Sequence, residues 1–290
     1  MLLRIVSIVF PIFIIVLAGY AYGRKHRPEM IAANRMNMEV FLPALIFSAL
    51  AGKSFDLAQN VSLAIGAAVV VLGSGLLAWP LAHAFGFNPK TLVPPVMFNN
   101  SGNMGLPLIV LAFGEQALGA ALVLMLVETL LQFALHPWLM SRQMRLGALW
   151  QEPVFVAATL GITVSLSGFT VLPPIMTASK ILGDISIGLM IFSLGVRLSN
   201  ASVGAWRIGI VGAILTPLTG MAVAWVYGPF GGLTTVEQDI LVVFGALPPA
   251  VVNFIFAERF NQEPDKVASI VMIGNASALL FVSLVLALRL

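Results

Sequence analysis

Two stretches of the chain repeat one pattern, Pro-Pro-x-x-x-Asn. The first runs from Pro94-Pro95 to Asn99 and the second from Pro248-Pro249 to Asn253, each inside an apolar run. A Pro-Pro pair does not continue an unbroken helix, because each ring removes a backbone donor and clashes with the preceding turn. Hydrocarbon offers no partner to the backbone groups so freed, and a break at that depth must face protein or a wet cavity. Matching breaks in the two halves of one chain are the mark of a transporter's substrate site.

Composition puts both runs in a bilayer. Of 290 residues, 59% are hydrophobic and 9% charged, with a mean hydropathy of +1.01. Soluble domains carry about 25% charged residues. The formal charge of +3 is too small and too scattered for nucleic acid. Cysteine is absent, which excludes disulfides and thiolate metal sites. Three scattered histidines offer no catalytic or metal constellation, so neither an enzyme nor a cofactor is expected. No nucleotide-binding loop occurs, and ATP-driven pumping is not expected.

Ten apolar segments can be marked, near 4–23, 32–52, 58–83, 90–113, 116–141, 152–169, 174–197, 204–229, 236–259 and 266–289. Each suffices to cross ~30 Å of hydrocarbon at about 1.5 Å per residue. The fold class expected is an all-α integral membrane protein of ten transmembrane helices. The first segment ends in Ala18-Gly19-Tyr20-Ala21, which imitates a signal-peptide end, but its length suits a spanning helix better. Lys and Arg set the orientation. Arg24, Lys25, Arg27, Arg35, Lys90, Arg142, Arg145, Arg197, Arg207, Arg259 and Lys266 follow odd-numbered segments. Only Arg4, Lys53, Lys180 and Arg289 lie on the other side. Positive charge stays cytoplasmic, so both termini are expected outside.

A second internal match supports the first. Leu45-Ile46-Phe47-Ser48 resembles Met190-Ile191-Phe192-Ser193, 145 residues later, and the Pro-Pro pairs lie 154 apart. The halves, residues 1–148 and 149–290, then hold five segments each. An odd number of crossings makes the second half enter from the opposite face, as an inverted repeat with broken crossing helices 4 and 9.

The run Phe98-Asn99-Asn100-Ser101-Gly102-Asn103-Met104-Gly105-Leu106-Pro107 resembles the signature of the auxin efflux carrier family. Ala246-Leu247-Pro248-Pro249-Ala250-Val251-Val252-Asn253 resembles that family's second crossover. The likeness extends over the whole chain and implies a bacterial member, within the bile/arsenite/riboflavin transporter superfamily, in the inner membrane. It implies a scaffold part, a transport part and secondary carriage of small organic anions, by uniport or coupled to H+ or Na+. Long central loops are common in the plant carriers; here only about ten residues, Arg142 to Gln151, join the halves. A sodium symporter of the bile-acid-carrier type is the alternative within transport. A channel is a further alternative class.

The chemistry of a break suits such a substrate. Its second half-helix begins with unpaired amide donors and a partial positive charge of ~0.5, which attracts a carboxylate. Asn99, Asn100, Ser101, Asn103 and Asn253 are the candidate substrate-binding residues; each amide or hydroxyl can instead satisfy backbone groups that the break frees. Pro94, Pro95, Pro248 and Pro249 make the breaks, and Gly102 and Gly105 are expected to permit unusual backbone angles. Glu128 lies mid-segment, with Gln132 and His136 following on one helix face. A carboxylate at that depth serves an ion or proton pathway, or is a buried acid bonded between helices. It aligns near Asn275 in the other half, so these two form the candidate coupling pair. Gly19 and Gly23 have the G-x-x-x-G spacing of close helix contact, within the chain or in a homodimer.

Overall fold

The computed structural model describes residues 2–52, 57–141, 146–199 and 204–289. These residues are helical apart from their connections and one isolated β-bridge. The helices are α1 (Leu2–His26), α2 (Ile31–Met36), α3 (Leu42–Leu50), α4 (Leu57–Ala84), α5 (Pro89–Met97), α6 (Leu106–Phe113) and α7 (Leu118–Ser141). They continue as α8 (Pro153–Ser167), α9 (Pro173–Ser199), α10 (Trp206–Tyr227), α11 (Thr235–Gly245), α12 (Val252–Arg259) and α13 (Pro264–Arg289). Five-residue π-turns join α2 to α3 (Asn37–Phe41) and lead into α6 (Ser101–Gly105).

Among the described residues four helices are long and apolar enough to cross a bilayer: Asn60–Ala84, Glu115–Ser141, Pro173–Ser199 and Trp206–Tyr227. Pro264–Ala278 and Leu280–Arg289, inclined at 43°, make a fifth when taken as one span. The fourth and ninth expected segments are each divided, into α5 and α6 and into α11 and α12. The second is divided by its π-turn, and the sixth is a helix of 15 residues.

The divided segments form the centre. Every residue from Thr91 to Ser101 and from Asp239 to Ala250 is buried. α4 packs against α5, α7 and α10, while α10 also packs against α11 and α13. Outward faces of these helices carry apolar side chains such as Leu76, Trp225 and Leu280, as lipid contact requires. All five tryptophans are exposed, which suits interfacial anchoring at helix ends.

On the other side α1 packs along α9, and α3 packs against both α8 and α9. Small residues let the backbones of α1 and α9 meet. A Cβ on Gly19 would lie 2.2 Å from the Phe192 carbonyl oxygen, and one on Gly195 would lie 2.0 Å from that of Val16. One on Gly23 would lie 2.2 Å from Ser199 Oγ. The Gly19/Gly23 spacing is therefore used within the chain. Backbone cannot give way as a flexible side chain can, so Gly195→Ala is expected to destabilise the protein by about 1–3 kcal/mol. Gly188→Ala, on the same helix with nothing within 4 Å of the added Cβ, is the control. Thermal midpoints in detergent check this: Gly195→Ala should melt lower and Gly188→Ala should not.

Candidate functional site

The two divided segments meet in the buried centre and complete each other's backbone hydrogen bonds. α5 closes with the Phe98 N–H donating to the Pro94 carbonyl at 2.9 Å, and Phe98 is then extended (φ −106, ψ 106). α11 runs out through Ala246 and Leu247. Asn99 then lies opposite Pro249 in an antiparallel bridge. The Asn100 N–H donates to the Pro248 carbonyl at 2.6 Å, and the Ala250 N–H donates to the Phe98 carbonyl at 2.9 Å.

This register explains the prolines. The bonds flank the Asn99–Pro249 pair, so that pair is of the non-hydrogen-bonded kind, whose own N–H groups point away from the partner strand. Pro249 lacks an N–H, and at this position the bridge needs none. Pro248 supplies only its carbonyl. Gly274 on α13 leaves room for the ring, since a Cβ there would lie 2.5 Å from Pro249 Cδ. The Pro94-Pro95 pair behaves differently from the sequence expectation. It sits inside the last turn and a half of α5, and the chain opens only at Phe98. Aligning the Pro-Pro pairs sets Pro95 against Pro249, yet the bridge sets Asn99 there, four residues or about one helical turn later.

Glu128 and Asn275 share a place but differ in role for the same reason. Asn99 has the N–H that Pro249 lacks, and that N–H donates to Glu128 Oε1 on α7. On the other side Asn275 of α13 has no N–H to receive. Its Nδ2 donates to the Pro249 carbonyl at 2.9 Å and to the Val271 carbonyl at 2.8 Å, while its Oδ1 accepts from Asn100 Nδ2 at 2.8 Å. A carboxyl oxygen thus accepts from an N–H, and an amide N–H donates to a carbonyl.

The remaining amides divide into two sets. Asn253 Nδ2 donates to the Phe98 and Ala250 carbonyls at 2.9 and 3.0 Å, and its Oδ1 accepts from Gln132 Nε2 at 3.1 Å. Asn99 Nδ2 donates to the Phe244 carbonyl at 2.8 Å. These groups are engaged in holding the crossing. Asn99 Oδ1, Glu128 Oε2 and His136 Nδ1 are buried without a hydrogen-bond partner among the described residues. The Ser101 side chain lies against the Glu128 carboxylate. Asn103 and Gly102 are half-buried at the start of the second half-helix, and a Cβ on Gly102 would meet only Met125 Sδ, at 3.6 Å. The first-turn N–H groups there have no intrahelical acceptors.

The glycines do not serve unusual backbone angles. Neither Gly102 nor Gly105 has positive φ; a Cβ on Gly105 would instead press on Leu247 Cδ1 at 2.5 Å, so this glycine lets the two breaks approach. An aromatic stack that the sequence pattern does not reveal adjoins the crossing. The His136 ring lies between Phe98 and Phe256, with centroids 5.8 and 4.3 Å away. Its signal was faint: Phe98 precedes the first crossing asparagine, and Phe256 follows the second by one turn. Among the described residues no group of three or more His, Asp or Glu is placed to hold a metal ion.

Different losses should follow from the two sets of amides. Asn253→Ala strands two carbonyls and a glutamine and should cost about 1–3 kcal/mol of stability. Asn103→Ala breaks no hydrogen bond among the described residues and should leave stability within about 0.5 kcal/mol of the parent. Paired thermal melts of the two variants read this directly.

The chain matches the family described as membrane transport protein over residues 4–145 and 134–286. It is 22% identical over 298 residues to an uncharacterized transporter of Methanocaldococcus jannaschii, covering 96% of each chain. It is 31% identical over 136 residues to auxin efflux carrier component 1 of Arabidopsis thaliana, a stretch that is 44% of this chain and 22% of the plant protein. Probable auxin efflux carrier component 1b of Oryza sativa subsp. japonica is 30% identical over 141 residues, 44% of this chain and 24% of that one. The chain thus spans about a quarter or less of the plant relatives and nearly all of the archaeal one. With a buried crossing of two divided helices among apolar spans, and a family match over nearly its whole length, the chain belongs to the membrane transport protein family of auxin efflux carrier-type transporters.

Proposed function

We propose that this protein is a secondary carrier for small organic anions, working by alternating access around the crossing of its fourth and ninth segments. The observation that carries the reading is the start of the second half-helix. There, among the described residues, the first-turn amides from Ser101 to Asn103 and the Asn103 side chain have no hydrogen-bond partner, and Gly102 and Asn103 are half-exposed. Helix-start donors and amides of this kind bind a carboxylate without a fixed cation. Asn99, Asn100 and Asn253 act in this reading by holding the crossing, with Ser101 and Asn103 nearest the anion.

The same reading takes the chain as ten crossings in two inverted halves, residues 1–148 and 149–290. The packing supports it: α1 lies along α9 as α8 lies against α3, the relation that exchanging the first and second segments with the sixth and seventh would give. The excess of Lys and Arg after odd-numbered segments favours both termini outside, in the bacterial inner membrane.

Glu128 is the proposed coupling group, with Asn275 as its non-ionisable counterpart. One observation favours a second reading, sodium symport: Asn99 Oδ1 and Glu128 Oε2 are both buried acceptors without partners. Uptake into proteoliposomes at two pH values, with and without sodium, separates the two. Under proton coupling, Glu128→Gln should abolish pH-dependent uptake and leave counterflow exchange intact. Loss of exchange as well, or uptake that follows sodium alone, would count against proton coupling.

A further inference from the structure

α1 and α9 end side by side, and both last turns are basic. A Cβ on Gly19 would touch the Phe192 carbonyl and one on Gly23 the Ser199 hydroxyl, so residue numbers rise together and the two helices run parallel. The last turn of α1 carries Arg24, Lys25 and His26, with Arg27 directly after it, and that of α9 carries Arg197. The Tyr22 ring lies 5.8 Å from that of Phe192 on α9 and 4.6 Å from that of His26. Tyrosine and basic side chains at the end of a span suit a membrane–water interface.

Several cations elsewhere are engaged. Arg35, Lys180, Lys266 and Arg289 pair with Glu39, Glu115, Glu263 and Asp239. Lys90 donates to the Met140 carbonyl, and Arg259 lies over the Phe260 ring. Arg24, Lys25, Arg27 and Arg197 have neither an ion pair nor a side-chain hydrogen bond among the described residues. Glu29, the acid nearest to α1 in sequence, is exposed and pairs with none of them. The two helix ends together present about one negative charge, well short of these four positive ones. Arg197 is also half-buried. A guanidinium drawn partly out of water with its forked donors unused fits the oxygens of a phosphate.

Below the cations lies hydrocarbon surface. Phe10, Ile14, Leu17, Ala21 and Arg24 recur at helical spacing on one exposed face of α1, the first three at 56%, 49% and 60% of full exposure. An apolar stripe that ends in a cation has the layout of an acyl chain that ends in a phosphate. We infer that the paired ends of α1 and α9 hold the headgroup of an anionic phospholipid, with Arg197 innermost, Arg24 and Lys25 beside it, and an acyl chain along the α1 stripe. A soluble phosphate would meet the cations and leave the stripe uncovered. A lipid so held ties the two helix ends together across their glycine contact. The inference goes beyond the carrier reading and does not depend on it.

The test titrates the full chain, purified in detergent, with dioleoylphosphatidylglycerol, dioleoylphosphatidylcholine or glycerol 3-phosphate, read by thermal shift and by native mass spectrometry. Phosphatidylglycerol should raise the thermal midpoint and remain bound. Phosphatidylcholine has the same chains and a phosphate but brings its own cation, and should bind at least roughly tenfold more weakly, as should glycerol 3-phosphate. Arg24→Gln and Arg197→Gln should each weaken phosphatidylglycerol by roughly threefold to fivefold in Kd. Arg197→Lys keeps the charge without the fork and should lose less. Lys180→Gln removes the same charge about 25 Å away at the other end of α9 and should leave Kd unchanged. Arg24 is exposed, so Arg24→Gln reads the site even where Arg197→Gln does not fold. Equal binding of phosphatidylcholine, an unchanged Kd in Arg24→Gln, or a loss as large in Lys180→Gln would overturn the site. Glycerol 3-phosphate binding as tightly as phosphatidylglycerol would overturn lipid as its ligand.

Discussion

Everything at the centre of this protein follows from one short antiparallel contact. Two helices stop in the apolar interior, and their loose ends hydrogen-bond to each other, Asn100 to Pro248 and Ala250 to Phe98. Each backbone group left unpaired in hydrocarbon costs several kcal/mol. A single broken helix would need a full set of side chains to answer that cost. Two broken helices crossing at their breaks answer much of it with each other's backbone. The demand on side chains then falls to the few groups that the bridge does not reach.

Those groups explain the polar residues around the crossing. The Asn99 N–H points outward from the bridge and finds Glu128, while the Pro249 carbonyl finds Asn275. The second asparagine of the repeated motif, Asn253, folds back on the Phe98 and Ala250 carbonyls. Among the described residues these contacts leave over the half-buried Asn103 and two buried acceptor oxygens, on Asn99 and Glu128. In the proposed carrier, structure and binding would draw on different atoms of this one small polar cluster.

Much of this was legible in the residues themselves. The Pro-Pro motif located the second break and fell about one turn short of the first, and its asparagines pointed to the polar cluster. Aligning Glu128 with Asn275 singled the two out as a coupling pair; that they also hydrogen-bond the bridge from either side came only with the structure. Three things were not legible. The register of the bridge is a pairing between segments 150 residues apart, so no local rule shows that Pro94 and Pro95 stay helical while Pro248 and Pro249 do not. In a helix of nine residues the donors those two rings lack would have met only carbonyls of its first turn. The role of Gly105 depends on the approach of Leu247 from the other break, which periodicity cannot reveal. The pairing of Lys180 with Glu115 joins two exposed residues on separate elements, each of which reads alone as a solvated end.

The bridge itself can be trapped. The chain has no cysteine, so Asn99→Cys with Pro249→Cys introduces the only two thiols. Residues paired without flanking their own hydrogen bonds stand about 4.5 Å apart at Cα, within the range that a disulfide spans. Mild oxidation of the monodisperse double variant should therefore form an intramolecular disulfide, read as a loss of both maleimide-reactive thiols that reductant restores. Two thiols that stay reduced in folded protein, each still open to maleimide, would mean that the broken ends do not meet, and the account of the crossing would be wrong.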